Sequence, residues 1–190
     1  MKKKLTLVVS LLLVMALSIG GTLAYLTAES ETITNTFTIG NIEISLAETT
    51  GTTYTVVPGA TVDKDPTVTV KKGSEACWLY ACVENNVQVT VEGEQVTVAE
   101  LNIGANWIEV DTDGNKTVYR YTEDAVAAND TADQDFEIFT TVTFDGDKIT
   151  AENRADITPA DTIVVKAFAH QAAEVEMAEA DDAAIAHFFG

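Results

Sequence analysis

The sequence predicts an all-β protein built from antiparallel sheets, with a sandwich and a barrel as the alternative architectures. Short runs rich in Thr and Val are separated by turn signals along most of the chain, which is typical of such folds. An acidic residue followed by Gly separates strand-like runs at three places, as in antiparallel hairpins. Helical periodicity is scarce, and its best candidate is the C-terminal tail.

Residues 1–24 are predicted to be a signal peptide. Three lysines at positions 2–4 precede an apolar run, residues 5–19, and small residues follow where a signal peptidase reads the chain. We expect cleavage after Ala24, with Tyr25 as the new N-terminus. The alternative is an uncleaved membrane anchor, but this run is shorter than the roughly 20 apolar residues of a spanning helix. A secreted protein without a stable membrane anchor is therefore expected.

The chain is strongly acidic. Its formal net charge is -19, and because residues 1–24 hold three of the 11 basic residues and no acidic ones, their removal leaves a net charge of -22. Such a surface repels nucleic acid and anionic lipid, so we expect neither as a partner.

The segment after the predicted cleavage site changes its apolar parity at Gly40. Apolar residues occupy odd positions before it and even positions after it: Ile33, Phe37 and Ile39, then Ile42, Ile44 and Leu46. One regular strand cannot bury both sets on one face, so a bulge or hinge is expected at Gly40. This divides the chain into an arm, residues 25–40, and a single β-sandwich domain, residues 41–190.

Three hairpin turns are predicted within that domain. They are Glu92-Gly93, Asp113-Gly114 and Asp145-Gly146, where Gly supplies the positive φ of a tight turn.

Two runs, residues 76–83 and 162–169, are apolar on both faces and are predicted to be central strands. Cys77 and Cys82 lie five residues apart in the first run, so we expect two buried free thiols on opposite faces.

Two further strands are predicted from their patterns. Pro66 stands before a Thr-Val run, at a strand start or an edge. In the run 136–144, alternation predicts a strand covered mainly on one face, although Phe139 breaks the pattern.

Two helical segments are predicted. In the C-terminal tail an apolar stripe combines Val175, Ala178, Ile185 and Phe189, with Asp182 on the same stripe. A shorter helical turn is expected at residues 98–104.

We expect no catalytic site, metal or cofactor. The two histidines, His170 and His187, begin no HExxH motif, and no phosphate-binding loop or nucleophile motif is present. Residues 111–116 fit a hairpin better than a calcium loop. Five aromatic residues leave a carbohydrate-binding face as an alternative: Trp78, Tyr80, Trp107, Tyr119 and Tyr121.

The order and spacing of several segments resemble the TasA/camelysin family. They are GGTLAYLTAES, NTFTIGNIEISL, PGATVDKDPTVTVKKGSEACWLYACVE, NWIEV, VYRYTE and FEIFTTVTF. The end of the signal peptide and the strand after it resemble substrates of the SipW-type signal peptidase of Gram-positive bacteria.

This resemblance implies a jelly-roll-like sandwich, exported and assembled into extracellular fibres of a biofilm matrix or cell surface. Polymerisation would be head to tail, each arm serving as a donor strand for the next copy or for a paralogous matrix subunit. The implied assembly residues are Leu26, Ile33, Phe37, Ile39 and Gly40. The family's other label implies a camelysin-type metallo-endopeptidase, and a surface adhesion module is the remaining alternative.

Overall fold

The computed structural model describes residues 40–51, 53–158 and 160–190. The predicted signal peptide 1–24, its cleavage site at Ala24 and Tyr25, and most of the predicted arm lie outside these residues. The arm residues concerned are Leu26, Ile33, Phe37 and Ile39. No helix in the described part of the chain has the length and apolar character needed to cross a membrane.

The described residues form twelve strands, one 3-10 turn and one α-helix. The strands are β1 Ile44–Ala47, β2 Thr61–Asp63, β3 Thr67–Val70, β4 Cys77–Asn85, β5 Gln88–Val91, β6 Glu94–Thr97, β7 Ala99–Ile103, β8 Trp107–Asp113, β9 Lys116–Tyr121, β10 Gln134–Glu137, β11 Phe139–Phe144 and β12 Ile163–Gln171; the 3-10 turn is Arg154–Asp156 and the helix, α1, is Met177–Phe189.

The strands form two main antiparallel sheets. The first has β3 between β1 and β10, and β11 between β2 and β7. Lys64 N–H donates to Thr140 O at 2.8 Å and Ile138 N–H donates to Pro66 O at 2.9 Å, so β2 with β3 and β10 with β11 form two continuous lines. We call the resulting layer, which runs from β1 at one edge to β7 at the other, the front sheet. The back sheet has the order β12-β4-β9-β8, and β5 pairs with β6 in a separate hairpin.

The two sheets enclose one apolar core. Alternate residues of β3 and β11 meet alternate residues of β4, because side chains on successive strand positions point to opposite faces. The largest fully buried members include Val68, Val70, Leu79, Ile138, Phe139 and Val142. The predicted all-β antiparallel sandwich is confirmed.

Helix α1 covers the outer face of the back sheet. Ala180 and Ala184 are fully buried there against Tyr80, Cys82 and Val118. The predicted C-terminal helix is confirmed. Of its predicted stripe, Val175 and Phe189 pack against this cluster, whereas Ala178 is exposed and the fully buried positions are Ala180 and Ala184.

The error in the stripe has a polar cause. Ala178 and Asp182 are exposed, whereas Asp181 turns inward beneath the helix. Asp181 accepts hydrogen bonds from Tyr80 Oη at 2.8 Å and from Arg120 Nη1 at 2.5 Å. Asp181 is thus held against the sheet on the same side of the helix as the buried Ala180 and Ala184.

The outcomes at the three predicted hairpins differ. Glu92-Gly93 joins β5 to β6, and the turn at Gly114 joins β8 to β9, so these two hairpins are confirmed. The hairpin predicted at Asp145-Gly146 is wrong. The Asp145 carboxylate accepts the N–H groups of Asp147 and Lys148, which bends the chain away from the sheet.

The helical turn predicted at residues 98–104 is also wrong, because this segment contains strand β7. Its pairing with β11 sets Leu101 opposite Val142 and Glu100 opposite Thr143. Apolar and polar residues alternate with a period of two along β7. This period fits a strand with one face on the core, and it does not fit a helix.

Of the two predicted central strands, only the first is central. β4 lies between β12 and β9, whereas β12 pairs with β4 alone among the described residues. β12 is nevertheless covered on both faces, since Val165 packs on the core and Phe168 packs beneath α1. The apolar residues on both faces of β12 therefore indicate that another layer covers each face. They do not indicate that a strand pairs with each of its edges.

The two cysteines follow the prediction. Both are free and buried, with Cys77 in the core between the sheets and Cys82 beneath α1, so they lie on opposite faces of β4. Burial raises the pKa of the Cys77 thiol to about 11.

The remaining strand predictions are confirmed. Pro66 is buried immediately before β3. Ile138 and Phe139 are both buried because the strand is interrupted between β10 and β11, and a bulge follows Phe139 in the pairing with β7.

The ion pair beneath α1 gives a testable expectation for stability. Replacing Arg120 with Met keeps the aliphatic volume but leaves the Asp181 carboxylate without its cation, so Arg120→Met should lower the free energy of unfolding by about 3 kcal/mol. Urea unfolding of the purified protein measures this. The exposed pair of Lys148 with Asp145 is the control, and Lys148→Met should change stability by less than about 1 kcal/mol. Equal losses in the two variants would contradict the role assigned to Arg120.

Candidate functional site: an open groove between the sheets

An open groove of about 260 Å³ lies between the front and back sheets. It is on the side of the sandwich where β7 ends the front sheet. Its apolar lining comes from Val83, Ala99, Leu101, Ile103 and Tyr119. Asn85, Thr97, Asn115 and Thr117 supply polar groups. The groove is therefore lined by apolar and polar groups together.

The front wall of the groove is the inner face of β7. The sequence AELNI turns Ala99, Leu101 and Ile103 inward and Glu100 and Asn102 outward, toward water. Ala99 is buried, but Leu101 and Ile103 remain partly exposed. Unlike the centre of the core, this end of the sandwich leaves apolar side chains incompletely covered.

The back wall is formed by β9 and the end of β4. Thr117 and Tyr119 face the groove from β9, and Val83 faces it from β4. Burial raises the pKa of the Tyr119 hydroxyl, a nearby hydrogen bond to Thr117 opposes the rise, and the charge of Glu109 adds to it. The Tyr119 hydroxyl is consequently uncharged at physiological pH, and the side chain forms a largely apolar part of the back wall.

One edge of β7 is free. Among the described residues β7 pairs only with β11, so its other edge presents main-chain N–H and C=O groups without strand partners. Asn85 Nδ2 donates to Ala99 O at 2.7 Å and closes one end of the groove. A strand added to this edge would extend the front sheet and direct alternate side chains into the groove.

The neighbouring edge at β8 is protected in a different way. β8 carries exposed carboxylates at Glu109, Asp111 and Asp113. Charged side chains on an edge strand oppose pairing with another chain. The charge pattern therefore favours β7 over β8 as a strand acceptor on this side of the sandwich.

The arm joins the domain at the other side. Asn41 O accepts the N–H of Glu75 at 2.9 Å, next to β1, and β1 is the edge of the front sheet opposite β7. A Cβ added at Gly40 would lie 2.7 Å from Glu75 Cγ. Glycine thus permits a close approach where the predicted arm meets the domain.

The predicted site residues are only partly within the described chain. Gly40 is described, whereas Leu26, Ile33, Phe37 and Ile39 lie before residue 40, and their assembly role stays a prediction. The groove itself was missed because residues 98–104 were interpreted as helical. The alternation of Ala99, Leu101 and Ile103 with polar residues was the signal that could have identified it.

The two histidines flank one aromatic ring. His187 stacks on Phe168 with ring centroids 4.6 Å apart, and His170 lies 6.2 Å from the same ring. His170 Nδ1 also contacts Gln171 O at 3.0 Å. Across residues 40–51, 53–158 and 160–190, no group of three or more His, Cys, Asp or Glu residues is arranged to hold a metal ion.

The five aromatic residues considered for a carbohydrate-binding face do not share one face. Trp78 and Tyr80 pack beneath α1, whereas Trp107, Tyr119 and Tyr121 contact the core between the sheets. The single aromatic face considered from the sequence is therefore wrong.

Comparison with known proteins finds one family model that matches part of the chain. A family model described as Camelysin metallo-endopeptidase matches residues 1–75. No curated protein and no solved structure matches the chain significantly. The matched segment contains β1 to β3 and ends at Glu75, so the groove lies in the part of the chain that follows it.

The contact between Asn85 and Ala99 gives a further expectation. Asn85→Ala removes the side-chain hydrogen bond that ties β7 to β4, and it should lower the free energy of unfolding by about 1 to 2 kcal/mol. Gln88→Ala is the control, because the Gln88 amide makes only a 3.4 Å contact with Thr97. Thermal and urea unfolding of both variants measure the difference, and an unchanged Asn85→Ala protein would show that β7 is held without this bond.

Proposed function

Because residues 1–75 match the camelysin family model, we propose that the protein is a secreted structural subunit of extracellular biofilm-matrix fibres. The subunit is a jelly-roll-like sandwich, exported through a SipW-type signal peptidase and located in the matrix or at the cell surface. It polymerises head to tail by donating residues 25–39 to a second copy or to a paralogous matrix subunit. It requires no cofactor and no catalytic site.

The observation that supports this proposal is the groove beside β7. It combines a free strand edge with apolar side chains that the described chain covers only in part, namely Leu101, Ile103 and Tyr119. An incoming strand would form hydrogen bonds with the free main-chain groups of β7, and its side chains would cover the exposed apolar surface of the groove. The arm has the matching composition, with β-branched residues concentrated in residues 32–39 and apolar side chains at Ile33 and Phe37.

The energies are of the right size for assembly. Burying four apolar arm residues at roughly 1.5 to 3 kcal/mol each gives about 6 to 12 kcal/mol. These residues are Leu26, Ile33, Phe37 and Ile39. Association costs about 4 to 15 kcal/mol, so the hydrogen bonds of the added strand decide how tight the polymer is.

The positions of the two partners favour an open polymer. The arm joins the domain beside β1, whereas the groove lies beside β7 at the opposite edge of the front sheet. A contact between different surfaces of identical subunits is heterologous, and it produces filaments when successive copies do not close into a ring.

A metallo-endopeptidase is the second candidate, because the description of the matching family names that activity. A zinc peptidase needs about three protein ligands and a base near the bound water. The description is the observation that favours this candidate, and a direct assay distinguishes it from a fibre subunit.

The groove provides the main test. Leu101→Arg places a cation inside the groove, and it should abolish filament formation because a docked strand would bury that charge. Asn102→Arg is the matched control, since Asn102 lies next in β7 but faces outward, and its filaments should persist. Electron microscopy and sedimentation measure assembly, and circular dichroism verifies that both variants fold. Normal filaments from folded Leu101→Arg would contradict the use of this groove.

The enzyme candidate is tested by casein hydrolysis. We expect purified protein supplemented with Zn²⁺ to release no more peptide than a buffer control, with or without a chelator. Hydrolysis that a chelator abolishes and Zn²⁺ restores would establish the metallo-endopeptidase instead. A His170→Ala, His187→Ala double variant would then show whether either histidine takes part.

A further inference from the structure

Helix α1 reaches the back sheet through a short and strained turn. Five residues, 172–176, separate the end of β12 from the start of α1, and within them the chain turns back onto the outer face of the sheet that it has just left. Val175 N–H donates to Ala172 O at 3.3 Å across the turn, and Glu174, third in the turn, has a φ of 58°. A type II turn places Gly or Asn at such a position, because a side chain strains a backbone of positive φ.

A second strained residue lies beneath the helix. Arg120 Nε donates to Thr122 O at 3.0 Å, and Thr122 also has a φ of 58°. Three non-glycine residues of the described chain have a positive φ, and the third, Glu92, lies in the hairpin turn between β5 and β6. The two that lie outside a hairpin turn therefore both lie where α1 is attached. Strained residues are typical of segments that switch between two arrangements.

The contact between α1 and the back sheet is small. Ala180 and Ala184 are the two residues of the helix that are fully buried, and the first turn, Met177 to Glu179, is exposed. Burying two alanines removes little apolar surface from water. The helix is therefore held largely by its polar contacts and by half-buried side chains near its C-terminus.

Those polar contacts are few and discrete. Asp181 accepts hydrogen bonds from Tyr80 and Arg120, and Trp78 Nε1 donates to Val175 O at 3.2 Å just before the helix begins. All three donors are side chains of the back sheet. The helix can therefore leave the sheet without breaking any pairing between strands.

We propose that α1 is exchanged between two copies of the chain, each helix docking on the back sheet of the other copy. Every contact that α1 makes with its own sheet is formed again, because the second copy presents the same face. The linker extends in the exchanged dimer, so Glu174 leaves its strained conformation. Short hinges under strain favour such an exchange.

The linker is long enough for this movement. Five extended residues span about 16 Å at roughly 3.3 Å per residue. This distance exceeds the roughly 10 Å diameter of a helix with its side chains, so α1 clears its own sheet completely.

The exchanged dimer differs from the polymer of the proposed function. Exchange is reciprocal, so two copies satisfy each other and the assembly closes with twofold symmetry. It uses the outer face of the back sheet, whereas the groove beside β7 opens between the two sheets. The inference therefore goes beyond the proposed function and does not rest on it.

Complementary charge variants test the exchange directly. In Arg120→Asp two carboxylates meet beneath α1, and in Asp181→Arg two guanidinium groups meet there, so neither chain closes on itself or on an identical copy. In a mixture each helix meets the opposite charge on the sheet of the other chain. We expect a heterodimer in sedimentation velocity when the two exported chains are refolded together from urea, and no dimer when each is refolded alone. Both chains carry Leu101→Arg to suppress filaments.

The control for this test is one chain that carries Arg120→Asp and Asp181→Arg together. It restores the ion pair within a single molecule and should remain chiefly monomeric. Circular dichroism compares the β content of all the chains. A mixture that yields no heterodimer, whether it stays monomeric or aggregates, would overturn the inference, and so would a dimer of either single variant alone.

Substitutions in the linker test the role of strain. Glu174→Pro forbids a positive φ at this position and should raise the association constant of the dimer. Glu174→Gly removes the strain and should lower that constant roughly 30-fold, since each dimer relieves two linkers. Glu176→Pro is the matched control, because Glu176 has a φ of -72° and accepts proline without strain. Equal dimer fractions in the two proline variants would contradict the exchange.

Discussion

The back sheet buries both of its faces, and this constraint determines how the other layers are arranged. β4 directs Leu79 into the core and Tyr80 beneath α1, and both side chains are fully buried. Neither face tolerates water, so the front sheet and the helix are both required. The ion pair between Arg120 and Asp181 fixes the helix on the second of these faces. The layers are thus complete at the centre of the molecule and incomplete only at their edges.

The edges are where this fold meets other chains. At β8 exposed carboxylates discourage pairing, whereas the free edge at β7 adjoins apolar side chains that are half-covered. In the proposed function the arm of one subunit pairs with the free edge at β7 of the next subunit. The need of an open edge for a partner strand thus underlies the proposed assembly.

Much of the fold could be predicted because its signals are local. Apolar alternation and acidic-Gly turns predicted the antiparallel strands, and the spacing of Cys77 and Cys82 predicted opposite faces. The predictions that failed concern features that depend on contacts with residues distant in sequence. β12 resembled a central strand because α1 covers its outer face. The stripe of α1 was predicted only in part, because Asp181 pairs with Arg120, which is distant in sequence. The groove beside β7 depends on how two sheets end, which no single stretch of sequence specifies.

The central claim is that the arm assembles the protein. Its most direct test is electron microscopy of the chain beginning at Tyr25 beside the chain beginning at Asn41, both concentrated under the same conditions. The account predicts filaments from the first and folded monomers from the second. Filaments from the chain beginning at Asn41 would contradict the donor-strand assignment, and folded monomers from both would remove the support for self-polymerisation.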